Sequence, residues 1–76
     1  MNKLRRAEID AVAAELLEVQ SRIEALRDEE QDAFDNLPGG LQQAPGGQAS
    51  EAAAAALCTA LDGLEEVLDA LGEAQA

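Results

Sequence analysis

The side chains able to do chemistry are few: 16 Asp and Glu, 5 Lys and Arg, Ser21, Ser50, Thr59 and the single Cys58, with no His, Tyr or Trp. Nucleophilic or acid–base catalysis needs a nucleophile with a base at a meaningful spacing, and none of these residues has such a partner. No catalytic residue and no cofactor are therefore expected. Asp28, Asp32 and Asp35 recur at i, i+4, i+7 with Glu29 beside them, a spacing that could hold a divalent cation weakly. Without an EF-hand loop or the Glu-x-x-His pairs of bundle metal sites, a solvated acidic helix end is the reading, and no metal is expected. One cysteine excludes an intrachain disulfide and paired-cysteine metal sites. Cys58 reads as a small apolar residue near an interface. The amides of Gly46 and Gly47 could cradle a phosphate ahead of a helix, but ordinary turn chemistry accounts for the same glycines.

The charge is more informative. Residues 1–27 hold all five basic residues against Glu8, Asp10, Glu15, Glu18 and Glu24, so the whole net charge of -11 lies in residues 28–76. Such a surface repels nucleic acid and anionic lipid and favours a protein partner with a basic surface. Asp62, Glu65, Glu66, Asp69 and Glu73 have no basic neighbour on their helix and form the candidate partner face. Solubility alone would account for the same charge.

Two helices must carry these groups, and the stretch between them decides how. Asp35 to Ala49 holds both prolines and most of the glycines, which helix interiors tolerate poorly, so the chain doubles back there. The fold expected is all-α: a single domain over residues 1–76, with a helix at about 3–35, a bend at about 36–49 and a helix at about 50–72. In the first helix Ile9, Leu16 and Ile23 at heptad position a alternate with Val12, Val19 and Leu26 at d. Leu17 widens that face. Glu18 and Arg22 form an i,i+4 pair in the favourable order. Lys3, Arg5 and Arg6 sit at the positive end of the helix dipole, where the acidic end of the second helix is expected to compensate them. Phe34, Leu37 and Leu41 are expected to pack over the bend.

Ser50 reads as the N-cap of the second helix. Leu57, Leu61, Leu64, Leu68 and Leu71 follow as its seam, flanked by Ala53, Ala60, Val67 and Ala74, and Gly72 ends it. Both apolar faces are wider than one partner helix covers. The antiparallel, coiled-coil-like hairpin is therefore expected to pair with itself into a four-helix bundle whose core is the two seams. A charged N-terminus with no apolar run after it, and no segment near the ~20 apolar residues of a membrane span, give the expectation of a cytoplasmic protein without membrane contact.

Phe34-Asp35-Asn36-Leu37-Pro38 and Leu41-Gln42, followed by a small-residue loop and an acidic Leu/Ala helix, resemble small acidic proteins of phages and prophages. The resemblance covers almost the whole chain, although Pro45-Gly46-Gly47 stands where polar and charged residues are expected. It implies an accessory protein acting by binding, in the host cytoplasm, with interference in a host defence pathway as one role. Two other classes compete with it. A dimer could sequester an anionic nucleotide through Arg22, Arg27 or loop amides, which the charge opposes, or the chain could be a purely structural oligomerisation module.

Overall fold

The computed structural model describes all residues, Met1–Ala76. Helix α1 spans Lys3–Asp35, a single turn α2 spans Gly39–Gln42, and α3 spans Pro45–Ala74. There are no strands. α1 and α3 lie against each other as a hairpin, a rod of 58 × 15 × 13 Å. The long dimension is set by α1, whose 33 residues rise about 1.5 Å each.

α1 starts at Asn2, whose side chain accepts the Arg5 amide at 2.9 Å and satisfies one of the free donors of the first turn. It then meets no Gly or Pro until Pro38. A residue before proline is disfavoured in helical geometry, so Leu37 lies outside the helix, which closes on Asn36. The Pro38 carbonyl accepts from Leu41 and Gln42 at 2.8 and 3.1 Å, forming α2, and the Gln42 side chain donates to the Phe34 carbonyl at 3.1 Å. That carbonyl, which also accepts from the Leu37 amide at 3.1 Å, ties the bend to the C-terminal end of α1. No residue of the turn has positive φ.

The second helix begins five residues before the expected boundary. Pro45 occupies its first turn, with Ala44 as an extended N-cap and no side-chain cap. Proline there lacks only a donor that would have had no partner, and its fixed φ already suits a helix. Ser50, expected as the N-cap, is instead inside α3 and half-buried. Gly47 is buried, and a Cβ on it would run into the Leu41 carbonyl and lie 2.6 Å from the Gln42 carbonyl oxygen. The glycine is there for close approach of α3 to the bend, not to break a helix. At the far end, α3 passes through Gly72 and closes on Gln75. An interior glycine costs a helix about 1 kcal/mol, which did not stop it. Phe34 and Leu37 are half-buried at the closed end, but Leu41, expected beside them, is 53% exposed. One turn of α2 anchors its backbone without turning that side chain under the bundle.

Gly47→Ala should therefore destabilise the hairpin by about 1–3 kcal/mol, as an overpacked contact does. Gly72→Ala, with nothing within 4 Å of its added methyl, should stabilise it by about 0.5–1 kcal/mol. Urea midpoints of the two variants should move in opposite directions, and a shared direction would contradict this account of the glycines.

Candidate functional site

Each helix gives the other one narrow row. On α1 the half-buried residues are Ile9, Ala13, Leu16, Gln20, Ile23, Arg27, Glu30, Phe34 and Leu37, alternating by four and three. On α3 they are Ser50, Leu57, Leu64, Leu68, Leu71 and Gln75, with Gly47, Ala54 and Leu61 buried among them in the same alternation. The hairpin thus uses heptad positions a and e. The expected leucine seam of α3 is its row, and Ile9, Leu16 and Ile23 supply half of the row on α1. The other half of the expected α1 seam points elsewhere: Val12, Val19 and Leu26 are 43%, 39% and 53% exposed. Phe34 and Leu37, which read from sequence as offset from the a/d seam, continue the a/e row directly. That alignment is the signal that could have placed the row correctly.

Position d lies about 80° around the helix from the middle of an a/e row. Because the two helices run in opposite directions, their d positions fall on the same side of the hairpin. One face therefore carries Val12, Val19 and Leu26 from α1 and Ala53, Ala60, Val67 and Ala74 from α3. Beside them on α3, the g positions are Ala49, Ala56, Gly63 and Ala70, so this side of the helix has no side chain larger than Val67. At the closed end the face deepens into an open cavity of about 380 Å³, lined by Ala33, Leu37, Leu41, Ala44, Gly46, Gly47 and Ser50. Ala33 and Gly46 are themselves d positions, so cavity and face are continuous.

Charges nearly cancel on this face, and none lies on its α3 half. The only ionic groups at its d and g positions are Arg5, Arg22, Glu8, Glu15 and Glu29, a balance close to zero, while the rest of the molecule carries nearly all of the -11. The candidate partner residues Asp62, Glu65, Glu66, Asp69 and Glu73 are all exposed on the outer sides of α3, where no basic residue meets them. The chain has a single ion pair, in which Arg27 donates to Asp28 from Nε and Nη2 at 3.2 and 3.1 Å. This hydrogen bond holds the Arg27 guanidinium above its ordinary pKa; desolvation opposes it, and the Asp28 charge and the neighbouring Cys58 thiol add to it. Cys58 lies on the side opposite the apolar face, and Arg27 sits in the contact row beside it. The expected Glu18–Arg22 pair does not form, and Lys3, Arg5 and Arg6 have no acidic partner within the chain.

The chemistry-bearing residues remain apart. Thr59 donates its hydroxyl to the Ala55 carbonyl at 3.2 Å, Gln31 binds Asp35 at 2.9 Å, and Cys58 is free and exposed. No three carboxylates or thiols converge on a metal position, so Asp28, Asp32 and Asp35 stay strung along their helix. No helix is long and apolar enough to cross a membrane. No protein-family model, curated protein or solved structure matches the chain. The arrangement leaves an apolar strip of near-zero net charge along one side of the hairpin, flanked by acidic surfaces.

The division into rows is testable by truncation. Leu61, 7% exposed, should lose about 2–4 kcal/mol on Leu61→Ala. Leu17→Ala, on the opposite side and half exposed, should stay within about 0.5 kcal/mol. Equal losses in denaturant titrations would mean that the contact row is misplaced.

Proposed function

We propose that this protein is a non-catalytic binding module that pairs with a second copy through the Val12–Val19–Leu26 face and presents its acidic flanks to a basic protein partner. The carrying observation is the apolar face that the hairpin contact leaves open. Only Gly47, Ala54 and Leu61 are buried in the whole chain. A compact protein of 7.9 kDa would expose about 4,400 Å², whereas this rod exposes 5360 Å². The excess is comparable with the roughly 800 Å² that each partner contributes to an interface of standard size. A four-helix bundle covers both d rows and keeps the carboxylates of α3 in water.

The acidic flanks then carry recognition. Asp62, Glu65, Glu66, Asp69 and Glu73, exposed and without basic neighbours, steer association with a basic surface more than they stabilise the fold. The likeness of the Asp35–Gln42 segment to small acidic phage and prophage proteins is in keeping with an accessory role of this type, in which the acidic surface occupies a basic site on a host protein.

Sedimentation equilibrium tests the pairing: a dimer is expected at micromolar concentration, and Val19→Asp should abolish it by placing an unpaired charge in the interface. Leu17→Asp, on the other side, should leave it intact. A parent protein that stays monomeric would refute the pairing.

Recognition is tested separately. Glu65→Gln, Glu66→Gln and Asp69→Asn together should leave helicity unchanged while weakening capture of basic proteins from a lysate and flattening its salt dependence. Unchanged capture with lower solubility would reduce the charge to a solubilising role.

A further inference from the structure

The pattern of unpaired charge along the open face fixes how two hairpins would meet. From the bend, the half-buried rows bring Ile9 level with Gln75, so Lys3, Arg5 and Arg6 project beyond the last turn of α3. This explains why they find no carboxylate in their own chain. Leu4, in the same overhang, is 80% exposed. At the opposite end of α1 stand Asp28, Glu29, Glu30, Asp32 and Asp35, of which only Asp28 has a cationic partner. A two-fold axis that keeps the hairpins parallel would stack α1 on the partner's α3, leaving the basic overhang again without a neighbour. A two-fold axis across the helices stacks α1 on α1 and lays the basic end of each on the acidic, closed end of the other.

We infer that the second copy docks antiparallel on the Val12–Val19–Leu26 face, with the axis beside Val19, so that Arg5 of each chain meets Glu29 of the other and Arg22 meets Glu15. This arrangement rests on the dimer proposed above and adds its direction. Val12, Val19 and Leu26 are evenly spaced about Val19, so an axis there sets Val12 against Leu26 of the other copy. The same axis places position 5 near position 33 and position 22 near position 16. A long arginine side chain at either place reaches the carboxylate about one turn or one residue away, Glu29 or Glu15, both at g on this face. Each Arg of the face gains a carboxylate, and neither has one within its own chain. The Ala and Gly positions of α3 then face their own copies, where small side chains let helix axes approach to about 8 Å. The overhanging Leu4 is brought to the end that holds the cavity lined by Ala33, Leu37 and Leu41.

Charge reversal in trans tests this. One variant carries Arg5→Glu and Arg22→Glu, the other Glu15→Lys and Glu29→Lys. In the antiparallel dimer each variant repels itself, so each alone should dimerise at least about tenfold more weakly, the equivalent of about 1.4 kcal/mol. An equimolar mixture restores all four pairs and should recover association to about the parent's strength, read by sedimentation equilibrium. A second readout uses Cys58→Ser with Val19→Cys: near the axis, the two introduced thiols should form an intermolecular disulfide on mild oxidation. A parent that dimerises, but whose variants show no rescue on mixing and no such disulfide, overturns the antiparallel arrangement and keeps the dimer. A parent that is monomeric overturns both. Circular dichroism of each variant confirms that helicity is retained, so that loss of association is not loss of fold.

Discussion

Two rods can touch along only one line, and this geometric constraint governs the molecule. With α1 and α3 as the whole of the fold, each helix buries a row of alternating threes and fours and leaves the rest of its surface in water. A chain of this composition has more apolar positions than one row can hold. Four of the eight exposed large apolar side chains, Val12, Val19, Leu26 and Val67, lie at d positions, which the antiparallel turn brings to one side, while Leu4 and Leu17 lie on other sides of α1.

The charges obey the same segregation. Carboxylates occupy the outer sides of α3 and both flanks of α1, while the α3 half of the apolar face has no ionic group at all. Polar residues do enter the hairpin row itself, at Gln20, Arg27 and Glu30, where the side chains stay only half-buried and their heads reach water. This keeps the intrachain contact weak in comparison with a true core. The protein thus keeps a second apolar strip, Val12, Val19, Leu26 and Val67, outside the hairpin contact.

The bend is where the sequence was easiest to misjudge. Pro45-Gly46-Gly47 resembles a chain breaker, yet the three residues form the first turn of α3. Proline costs nothing at a position with no hydrogen-bond acceptor to meet, and Gly47 gives up its side chain so that the Leu41 and Gln42 backbone can lie against it. A local propensity unfavourable by about 1 kcal/mol per glycine yields to a contact made by residues five and six positions earlier in the chain.

Much of the architecture was legible in the residues. The uninterrupted run from Lys3 to Asp35, the Pro38-Gly39-Gly40 turn and the leucine alternation from Leu57 to Leu71 determine two helices and a reversal, because helix formation and its interruption depend on neighbours within a few positions. Composition likewise determined that no histidine or paired-cysteine site exists. The sequence did not decide which side of α1 meets α3. Positions a, d and e are all apolar or tolerant there, and the difference between an a/d and an a/e row is a rotation of about 50°, smaller than the width of the apolar face. Only the tertiary structure settled that choice, since it depends on how the bend delivers α3 and on Phe34 and Leu37 packing at the closed end. With it came the exposure of Val12, Val19 and Leu26, the cavity beside Leu41 and the reach of Lys3, Arg5 and Arg6 past the end of α3, none of which is a property of either helix alone.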